Sequence, residues 1–443
     1  MPRDGETLNV AVIGGGIAGL SCAWLLSHAH NVVVYEQAGH VGGHSRTKDV
    51  TLASGTMPVD IGFIVYNPPA YPNLVALFSH LTVPTQPADM SFAVSLRGGG
   101  LEYSGTDLAG LFAQRRNLVH PRFWAMLRDT LRFYRQAGRD APTLDETISL
   151  GAYLRAGSYG DAFIEDHLLP MAAAIWSTPA ATIGAYPAAS FIRFCQNHGL
   201  LRVRDRPQWR TVVGGSRAYV RRLTARYADR IRLNCAVRAI RREPGRVLVR
   251  GADGTEQEFD HVVIGAHADQ ALAMLTDPSD IETDLLSRLR YGRNLAVMHR
   301  DPGWMPRRRR VWSAWNYLDP GNDGSLCTTY WMNRLQSLPS AELVLVTLNP
   351  SGAVGPRHAL TRETFHHPLF DAAALRAQRD LWRLQGVRRT WFCGAYFGAG
   401  FHEDGLQAGL AVAEALGGIR RPWQVPNESG RIVLPAEPVT ALA

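Results

Sequence analysis

The chain has 443 residues, of which 46% are hydrophobic and 19% charged, and this balance excludes an intrinsically disordered chain, a collagen-like fibre and a coiled coil. No uninterrupted apolar run reaches the roughly 18 residues that predict a transmembrane helix. The net charge of +8 permits anionic partners, and because no nucleic-acid-binding motif is recognisable, a membrane surface or anionic small molecules are favoured, with ordinary solvated arginine as the alternative.

A strand and a glycine turn begin the chain. Residues 8–13 form a short apolar run that predicts a buried strand, and Gly14, Gly16 and Gly19 follow it in a GxGxxG pattern. In this pattern the first glycine permits the tight turn, the second lets a pyrophosphate approach the backbone, and the third lets the next helix pack closely on the strand. The sequence therefore predicts a dinucleotide-binding turn.

The predicted helix begins with Ile17 and Ala18, and its N-terminus would face the phosphates. A second apolar run at residues 32–35 ends at Glu36, which lies 22 residues after the first glycine of the motif. An acid at this distance accepts hydrogen bonds from the adenosine ribose hydroxyls. Gln37 follows directly and belongs to the same predicted cofactor site.

A second glycine pair follows the acid. Gly42 and Gly43 would let another stretch of backbone approach the same cofactor, and an Asp-x-Gly segment comes next at residues 60–63. The cofactor candidates in these two segments are His44, Ser45, Gly62 and Phe63.

These motifs resemble those of the superfamily that contains flavin-containing amine oxidases, protoporphyrinogen oxidases and carotenoid desaturases. The resemblance implies FAD as the cofactor and an α/β fold, in which a Rossmann-type FAD-binding domain of the glutathione-reductase-like kind carries an inserted α+β substrate domain. It places the FAD-binding domain at residues 6–66, 211–275 and 388–418, the substrate domain at 67–210 and 276–387, and a tail at 419–443.

Two distant segments extend the resemblance. Val237 begins a strand whose backbone would lie over the adenine. The C-terminal segment has a strand that ends at Gly394, a glycine-rich turn and a helix predicted to start near Asp404, with Gly405 and Leu406 as further cofactor candidates. A helix N-terminus at this point would direct N–H groups toward the flavin carbonyl and stabilise the reduced anionic flavin.

Three departures bear on the reaction. Gly394 is followed by Ala395, where amine oxidases usually have an acid. His44 stands where many members have arginine. Many amine oxidases also place a lysine from mid-chain near flavin N5, whereas Lys48 is the only lysine here and lies near the N-terminus. The missing acid and the missing mid-chain lysine disfavour amine oxidation, and Ala395 after Gly394 resembles the pattern of the carotenoid desaturases.

Segments at residues 171–179, 191–201 and 209–220 resemble a narrower group, bacterial flavoproteins associated with cyclopropane-synthase-like lipid methyltransferases. That group includes a desaturase of methyl-branched fatty acyl chains on the route to furan fatty acids. The resemblance implies desaturation of lipid acyl chains with hydride transfer to flavin N5. The alternatives are an amine oxidase or protoporphyrinogen-type oxidase, and a flavin-binding accessory protein of a lipid methyltransferase.

Residues 121–136 predict an amphipathic helix. Phe123, Trp124, Leu127, Leu131 and Tyr134 share one face at helical spacing, and arginines lie toward the other. This pattern fits a helix in a lipid interface, or equally a surface helix packed on its own domain. The densest charge run is formed by Arg307, Arg308, Arg309 and Arg310, which would add to an anionic membrane contact or form a solvated loop.

The candidates for proton transfer are His44, His402 and Glu403, because each lies in a segment predicted beside the flavin. The alternatives are a cofactor hydrogen bond for His44 and helix capping for the other two. An apolar substrate tunnel would be lined by the aromatic side chains of Trp176, Tyr330, Trp331, Tyr396 and Phe401, which otherwise form ordinary core.

The five cysteines are scattered and form no CxxC pair, which predicts a reducing compartment and no metal site. No signal-peptide pattern precedes the first strand, so we expect a cytoplasmic location, with peripheral contact at the inner face of the membrane as an option. The sequence leaves a homo-oligomer open.

Overall fold

The computed structural model describes residues 7–176, 183–319, 327–355 and 357–435. Its strands are, in chain order, β1 (Asn9–Ile13), β2 (Asn31–Tyr35), β3 (Thr47–Leu52), β4 (Gly55–Asp60), β5 (Thr85–Ala88), β6 (Phe92–Leu96), β7 (Leu101–Ser104), β8 (Trp209–Val212), β9 (Ile231–Arg232), β10 (Val237–Glu243), β11 (Arg246–Gly251), β12 (Glu256–Phe259), β13 (His261–Ile264), β14 (Arg290–His299), β15 (Trp315–Leu318), β16 (Cys327–Trp331), β17 (Leu345–Leu348), β18 (Ala359–Leu369) and β19 (Thr390–Phe392).

Its α-helices are α1 (Ile17–Leu26), α2 (Pro72–His80), α3 (Leu108–Leu111), α4 (Pro121–Asp140), α5 (Leu150–Ala156), α6 (Asp161–Phe163), α7 (Leu169–Trp176), α8 (Ala188–Asn197), α9 (Arg217–Thr224), α10 (Ala268–Met274), α11 (Asp280–Ser287), α12 (Met332–Leu335), α13 (Ala372–Asp380) and α14 (His402–Gly417). Residues 177–179, which belong to one of the segments of the narrower resemblance, lie outside the described residues.

A five-stranded parallel sheet forms the centre of the FAD-binding part, with the strand order β19-β13-β1-β2-β9. The apolar run of β1 is buried because strands pair with it on both sides and helices cover the faces. The chain supplies these strands from three separate segments, and the glycine turn leaves the sheet at the carboxyl end of β1. Ligands of such sheets bind at this edge.

A separate seven-stranded mixed sheet has the strand order β18-β14-β17-β16-β15-β6-β7. The helices α4 to α8 join it through apolar clusters around Phe133 and Phe123. The parallel sheet with its inserted mixed sheet and helices confirms the fold class predicted from the sequence.

The C-terminal helix α14 packs along α1. A side chain at Gly409 would collide with the carbonyl oxygen of Ala18, at 2.2 Å from the position of its Cβ, so the two helices approach each other at a glycine. Because α1 starts the glycine turn, this contact brings the C-terminal segment to the same edge of the sheet.

The amphipathic helix differs from its prediction. It runs from Pro121 to Asp140, and its buried face is centred on Met126, Thr130 and Phe133, whereas Trp124 and Leu131 are exposed. Asp129 lies on the buried side because its carboxylate accepts a hydrogen bond from the backbone N–H of Gly160 at 3.0 Å. Helical periodicity predicts that such an acid faces solvent, so the buried face of α4 is rotated from the predicted one.

The segment expected to form a tail packs on the domain as far as residue 435. Arg421 is buried and forms an ion pair with Glu414, and Trp423 stacks on Trp24 with ring centroids 5.7 Å apart. Among the described residues, no helix combines the length and the apolarity that a bilayer crossing requires.

Candidate active site

The two glycine turns lie against each other at the carboxyl end of β1. The N–H of Gly42 donates to the carbonyl of Gly15 at 2.7 Å, and a Cβ added to Gly43 would come within 3.1 Å of the Cα of Gly16. A Cβ at Gly19 would lie 2.1 Å from the carbonyl oxygen of Gly14, as expected for a close helix–strand contact. A Cβ at Gly16 would meet nothing within 4 Å. The turn is thus tight on the protein side and open on the cavity side.

Glu36 closes the turn from the end of β2. Its carboxylate accepts hydrogen bonds from the backbone N–H groups of Gly15 and Ala38, both at 2.8 Å. It lines a large cavity, as do most of the other predicted cofactor residues: Gly14, Gly16, Ile17, Ala18, Gln37, Gly43, His44, Gly62, Phe63, Val237 and Gly394. Gly19, Gly42 and Ser45 do not line it; they hold the turns in place from behind.

His402 joins three of the predicted segments. Its ring stacks on Phe63 with centroids 3.8 Å apart, and its Nε2 lies 2.7 Å from the hydroxyl of Tyr219 and 3.1 Å from the hydroxyl of Ser45. Burial lowers the pKa of His402 to about 3, so the ring is neutral at pH 7, and Nε2 forms hydrogen bonds with both hydroxyls. The sequence did not single out Tyr219, although it lies in the segment 209–220, because no cofactor motif contains it.

Glu403 does not lie on the cavity, contrary to its prediction as a catalytic residue. Its buried carboxylate accepts the backbone N–H groups of Asn73 and Leu74, both at 3.0 Å, and the side-chain amides of Asn73 and Gln407. Asn73 and Leu74 are in the first turn of α2, whose N–H groups have no partners within the helix. Glu403 therefore caps a helix distant in the sequence.

Asp404 also faces away from the cavity. It accepts a hydrogen bond from the backbone N–H of Phe401 at 2.7 Å and forms an ion pair with Arg431 at 2.6 Å. A Cβ at Gly405 would lie 3.0 Å from the side chain of Ile17, and Leu406 is buried in the core, so these two residues fix α14 against α1. The cavity is reached instead by Gly400, Phe401 and His402 at the start of α14.

A cluster of histidines borders the cofactor half of the cavity. The ring of His44 lies 4.9 Å from Phe365 and 5.1 Å from His367, and its buried Nε2 has no hydrogen-bond partner among the described residues. The side-chain amide of Asn294 donates to Nδ1 of His367 at 2.8 Å. Burial lowers the pKa of His367 to about 4 and lowers that of His44 well below its usual range, with neighbouring histidines adding to the shift.

His267 and His366 complete this cluster and line the same cavity. His366 and His367 stand on β18, an edge strand of the seven-stranded sheet. No group of three or more histidine, cysteine or acidic side chains suited to a metal occurs in the described part of the chain. The sequence could not place these residues because only the sheet order brings β18 beside the glycine turns.

The cavity continues far beyond the glycine turns and has a volume of about 1260 Å³. This exceeds the roughly 300–1,000 Å³ of pockets for drug-sized ligands, so it has room for a dinucleotide together with a substrate. Its second half is lined largely by apolar and aromatic side chains, among them Ile64, Val65, Met90, Phe92, Met171, Ile175, Phe194, Leu200, Trp209, Trp315 and Leu348.

Four of the five aromatic side chains predicted to line a tunnel do line the cavity: Trp176, Tyr330, Tyr396 and Phe401. Trp331 does not. Because side chains alternate along β16, it points to the other face, where it packs edge-on against Trp312 at 5.7 Å and beneath the guanidinium of Arg334.

Lys48 forms an ion pair with Glu363, as does the neighbouring Arg46, and it does not line the cavity. A mechanism that needs a lysine beside the cofactor therefore has none available within the described residues.

The cradle fits FAD. Open space at Gly16 admits a pyrophosphate next to the start of α1, and Glu36 stands where an adenosine ribose would lie. Farther along, His44 and Tyr396 line the cavity, and within the described part of the chain the buried Nε2 of His44 and the buried hydroxyl of Tyr396 have no hydrogen-bond partner, as expected of polar atoms that a bound cofactor would satisfy.

Known proteins with related sequences and folds support this assignment. Residues 17–417 match the family model described as flavin containing amine oxidoreductase. A Mycobacterium tuberculosis protein named as a flavin-containing monoamine oxidase, AofH, is 29% identical over 280 residues, which cover 61% of this chain and 60% of that protein. The chain thus matches about three fifths of the length of this relative.

Two solved structures share the fold. Putrescine oxidase with bound putrescine superposes with a TM-score of 0.68 at 15% identity, over 93% of this chain and 99% of that one. A fatty acid isomerase from P. acnes superposes with a TM-score of 0.64 at 16% identity, over 92% and 98%. Since the family model covers most of the chain, the protein belongs to the flavin-containing amine oxidoreductase family of FAD-dependent oxidoreductases.

Proposed function

We propose that this FAD-dependent oxidoreductase desaturates fatty acyl chains of membrane lipids, with methyl-branched chains as the favoured substrate. The observation that carries the proposal is the apolar cavity that continues from the cofactor cradle. Its walls, from Met90 and Phe92 to Met171 and Trp209, are largely apolar and aromatic and suit a long hydrocarbon chain.

The charges around the substrate half also favour this substrate class over an amine. Asp89 is the only acidic side chain that lines this half among the described residues, and it is paired with Arg334 at 2.9 Å. Arg206 is exposed where the cavity reaches the surface. A cationic mouth repels an ammonium group and attracts a carboxylate or phosphate headgroup.

Desaturation removes a hydride and a proton from adjacent carbons, and bound FAD would supply the acceptor of the hydride at N5. The protein must position the chain, exclude water and receive the proton. We assign proton acceptance to His44, because this residue lines the cavity, its Nε2 has no hydrogen-bond partner among the described residues, and burial keeps its imidazole neutral at pH 7. His367, held by Asn294, lies against it and would fix its orientation.

Amine oxidation is the second candidate, and the relative named as a monoamine oxidase favours it. Aromatic side chains such as Tyr330 and Trp315 could surround a substrate cation. Against it stand the paired state of Asp89 and the lack of a lysine at the cavity.

Anaerobic flavin absorbance of the purified holoprotein tests the proposal. We expect bleaching on addition of lipids with methylated monounsaturated acyl chains, slower bleaching with unmethylated chains, and none with a panel of amines. Bleaching by amines alone would overturn the acyl assignment, whereas bleaching by no compound would favour an accessory role without turnover. A protoporphyrinogen-type substrate belongs in the same panel.

His44→Gln tests the role of the histidine. A glutamine keeps a hydrogen bond to the cofactor but accepts no proton, and loss of a general base lowers the rate about 10²–10⁴-fold. We expect FAD content and substrate affinity to be retained while the reduction rate falls, and we expect the decrease in rate at acid pH, which protonation of His44 would cause, to disappear. Retained rate with lowered FAD content would indicate a cofactor-binding role instead. His358→Gln, at an exposed position outside the cavity, is the matched control.

A further inference from the structure

A patch of exposed apolar side chains lies on the substrate part of the protein. Val119 is 82% exposed, Leu108 74%, Leu118 51%, Trp124 49% and Leu131 41%, and we call these five residues the apolar patch. Soluble proteins commonly expose single apolar residues, but a group of this size in neighbouring elements marks an interaction surface.

The members of the patch are held next to each other. The indole N–H of Trp124 donates to the carbonyl of Leu118 at 2.8 Å, and the Trp124 ring lies 5.6 Å from that of Phe112, which follows α3. Leu131 lies seven residues after Trp124 on α4 and so shares its face. The patch therefore runs from α3 over the start of α4 and along the outer side of that helix.

Arginines surround the patch. Arg115, Arg116 and Arg128 are exposed on the elements that carry it, and the turn Arg309–Val311 packs against α3 and adds Arg309 and Arg310. We call these five arginines the basic rim. Arg308, from the same charge run, is engaged differently, because its guanidinium pairs with the buried Glu102 at 2.7 Å.

The patch adjoins the place where the substrate half of the cavity reaches the surface. Gly105 and Thr106 line the cavity, are exposed, and lie immediately before α3, while Tyr134 of α4 lines it from the other side. A surface that bound the patch would therefore face this opening.

We propose that the apolar patch and the basic rim dock on an anionic lipid bilayer, so that an acyl chain passes from the bilayer into the cavity. Charge complementarity selects this occupant, because apolar side chains at the level of acyl chains with arginines at the level of headgroups are the pattern of a monotopic surface. The route of the acyl chain rests on the proposed function, whereas docking does not.

Flotation of the FAD-loaded protein with vesicles tests the docking without turnover. We expect binding to vesicles of phosphatidylcholine with phosphatidylglycerol, weaker binding to phosphatidylcholine alone, and a loss with rising salt. Arg115→Gln with Arg116→Gln should weaken partitioning roughly 30-fold, and Trp124→Gln with Leu131→Gln at least about tenfold.

Matched controls make the same chemical changes elsewhere. Arg221→Gln with Arg250→Gln removes two exposed charges from the FAD-binding part, and Leu233→Gln with Val387→Gln removes two exposed apolar side chains. We expect both controls to float like the parent protein. Flavin reduction by detergent-dispersed acyl substrate should be unchanged in the patch variants. Flotation therefore tests the docking alone, and flavin reduction tests the acyl function alone.

Two outcomes overturn the docking. One is equal flotation of the parent protein and the patch variants, and the other is the absence of binding to anionic vesicles. If light scattering instead showed self-association that the patch variants lose, the patch would be an interface between copies of the chain.

Discussion

The imidazole of His402 lies parallel to the ring of Phe63, with centroids 3.8 Å apart and an angle of 6° between the planes. Phe63 belongs to the Asp-x-Gly segment, and His402 begins the last helix, so the stack connects the two walls of the cofactor cradle. Tyr219 and Ser45 complete the connection through Nε2. Because His402 is neutral and hydrogen-bonds both hydroxyls, its role is to hold the two walls of the cofactor cradle in position.

The pKa of His402 predicts acid sensitivity. The folded-state pKa of about 3 lies below the usual 6.5, so the unfolded chain binds one more proton between these values and the free energy of unfolding falls as pH falls. The contribution is about 1.4 kcal/mol per pH unit. We expect His402→Gln to unfold in urea with a shallower pH dependence than the parent protein between about pH 6 and pH 4. Parallel curves would contradict a buried neutral histidine. His80→Gln is the control.

Replacement of Glu403 separates capping from catalysis. Glu403→Gln puts an amide group against the N–H groups of Asn73 and Leu74, and leaving such donors unsatisfied costs about 1–3 kcal/mol. We therefore expect a lower melting temperature with an unchanged rate of flavin reduction per bound flavin. A large loss of rate in a fully folded variant would restore Glu403 as a proton-transfer candidate. Glu256→Gln on an exposed strand is the control for the charge change.

Two substitutions in the glycine turn should have different effects, one on flavin binding and the other on thermal stability. Gly16→Leu adds a side chain where the protein leaves open space, so the FAD-free protein should melt as before but retain no flavin after purification. Gly19→Ala places a Cβ against the carbonyl of Gly14, so it should lower the melting temperature with or without FAD. Retention of flavin by Gly16→Leu would place the pyrophosphate elsewhere.

Replacement of Lys48 should leave the rate of flavin reduction almost unchanged. Lys48→Gln removes one partner of Glu363, which Arg46 still contacts, and a partly exposed ion pair contributes at most about 1 kcal/mol. We expect the rate of flavin reduction to stay within twofold of the parent rate, roughly the scatter for a residue outside the site. A strong decrease with every substrate would show that the lysine reaches the cofactor in a rearranged state.

Sequence reasoning succeeded where the signal is local. The GxGxxG turn and Glu36 stand at a fixed spacing because one strand, one turn and one helix set their geometry. It failed for His367 and Tyr219, since their positions depend on which strand becomes the sheet edge and how helices pack. It also placed Glu403 on the cavity because a residue that follows His402 looks adjacent in sequence, although successive helical side chains point in different directions.

The misplaced face of α4 has a similar cause. Hydrophobic periodicity assumes that charge faces solvent, and Asp129 violates it by capping the loop at Gly160. As a result Phe123, Trp124 and Leu131 were predicted on one face, whereas Phe123 is buried and Trp124 and Leu131 are exposed.

The strand order of the parallel sheet constrains how the protein is made. β1 at the N-terminus is flanked on one side by β13, and β13 by β19, which ends at Phe392. A ribosome must therefore release most of the chain before the cradle closes, and contacts of such large sequence separation form slowly. A nascent chain that has not yet produced β19 and the C-terminal helix would offer FAD an incomplete binding site. We therefore expect a chain truncated before Thr390 to be partly folded and sensitive to proteases.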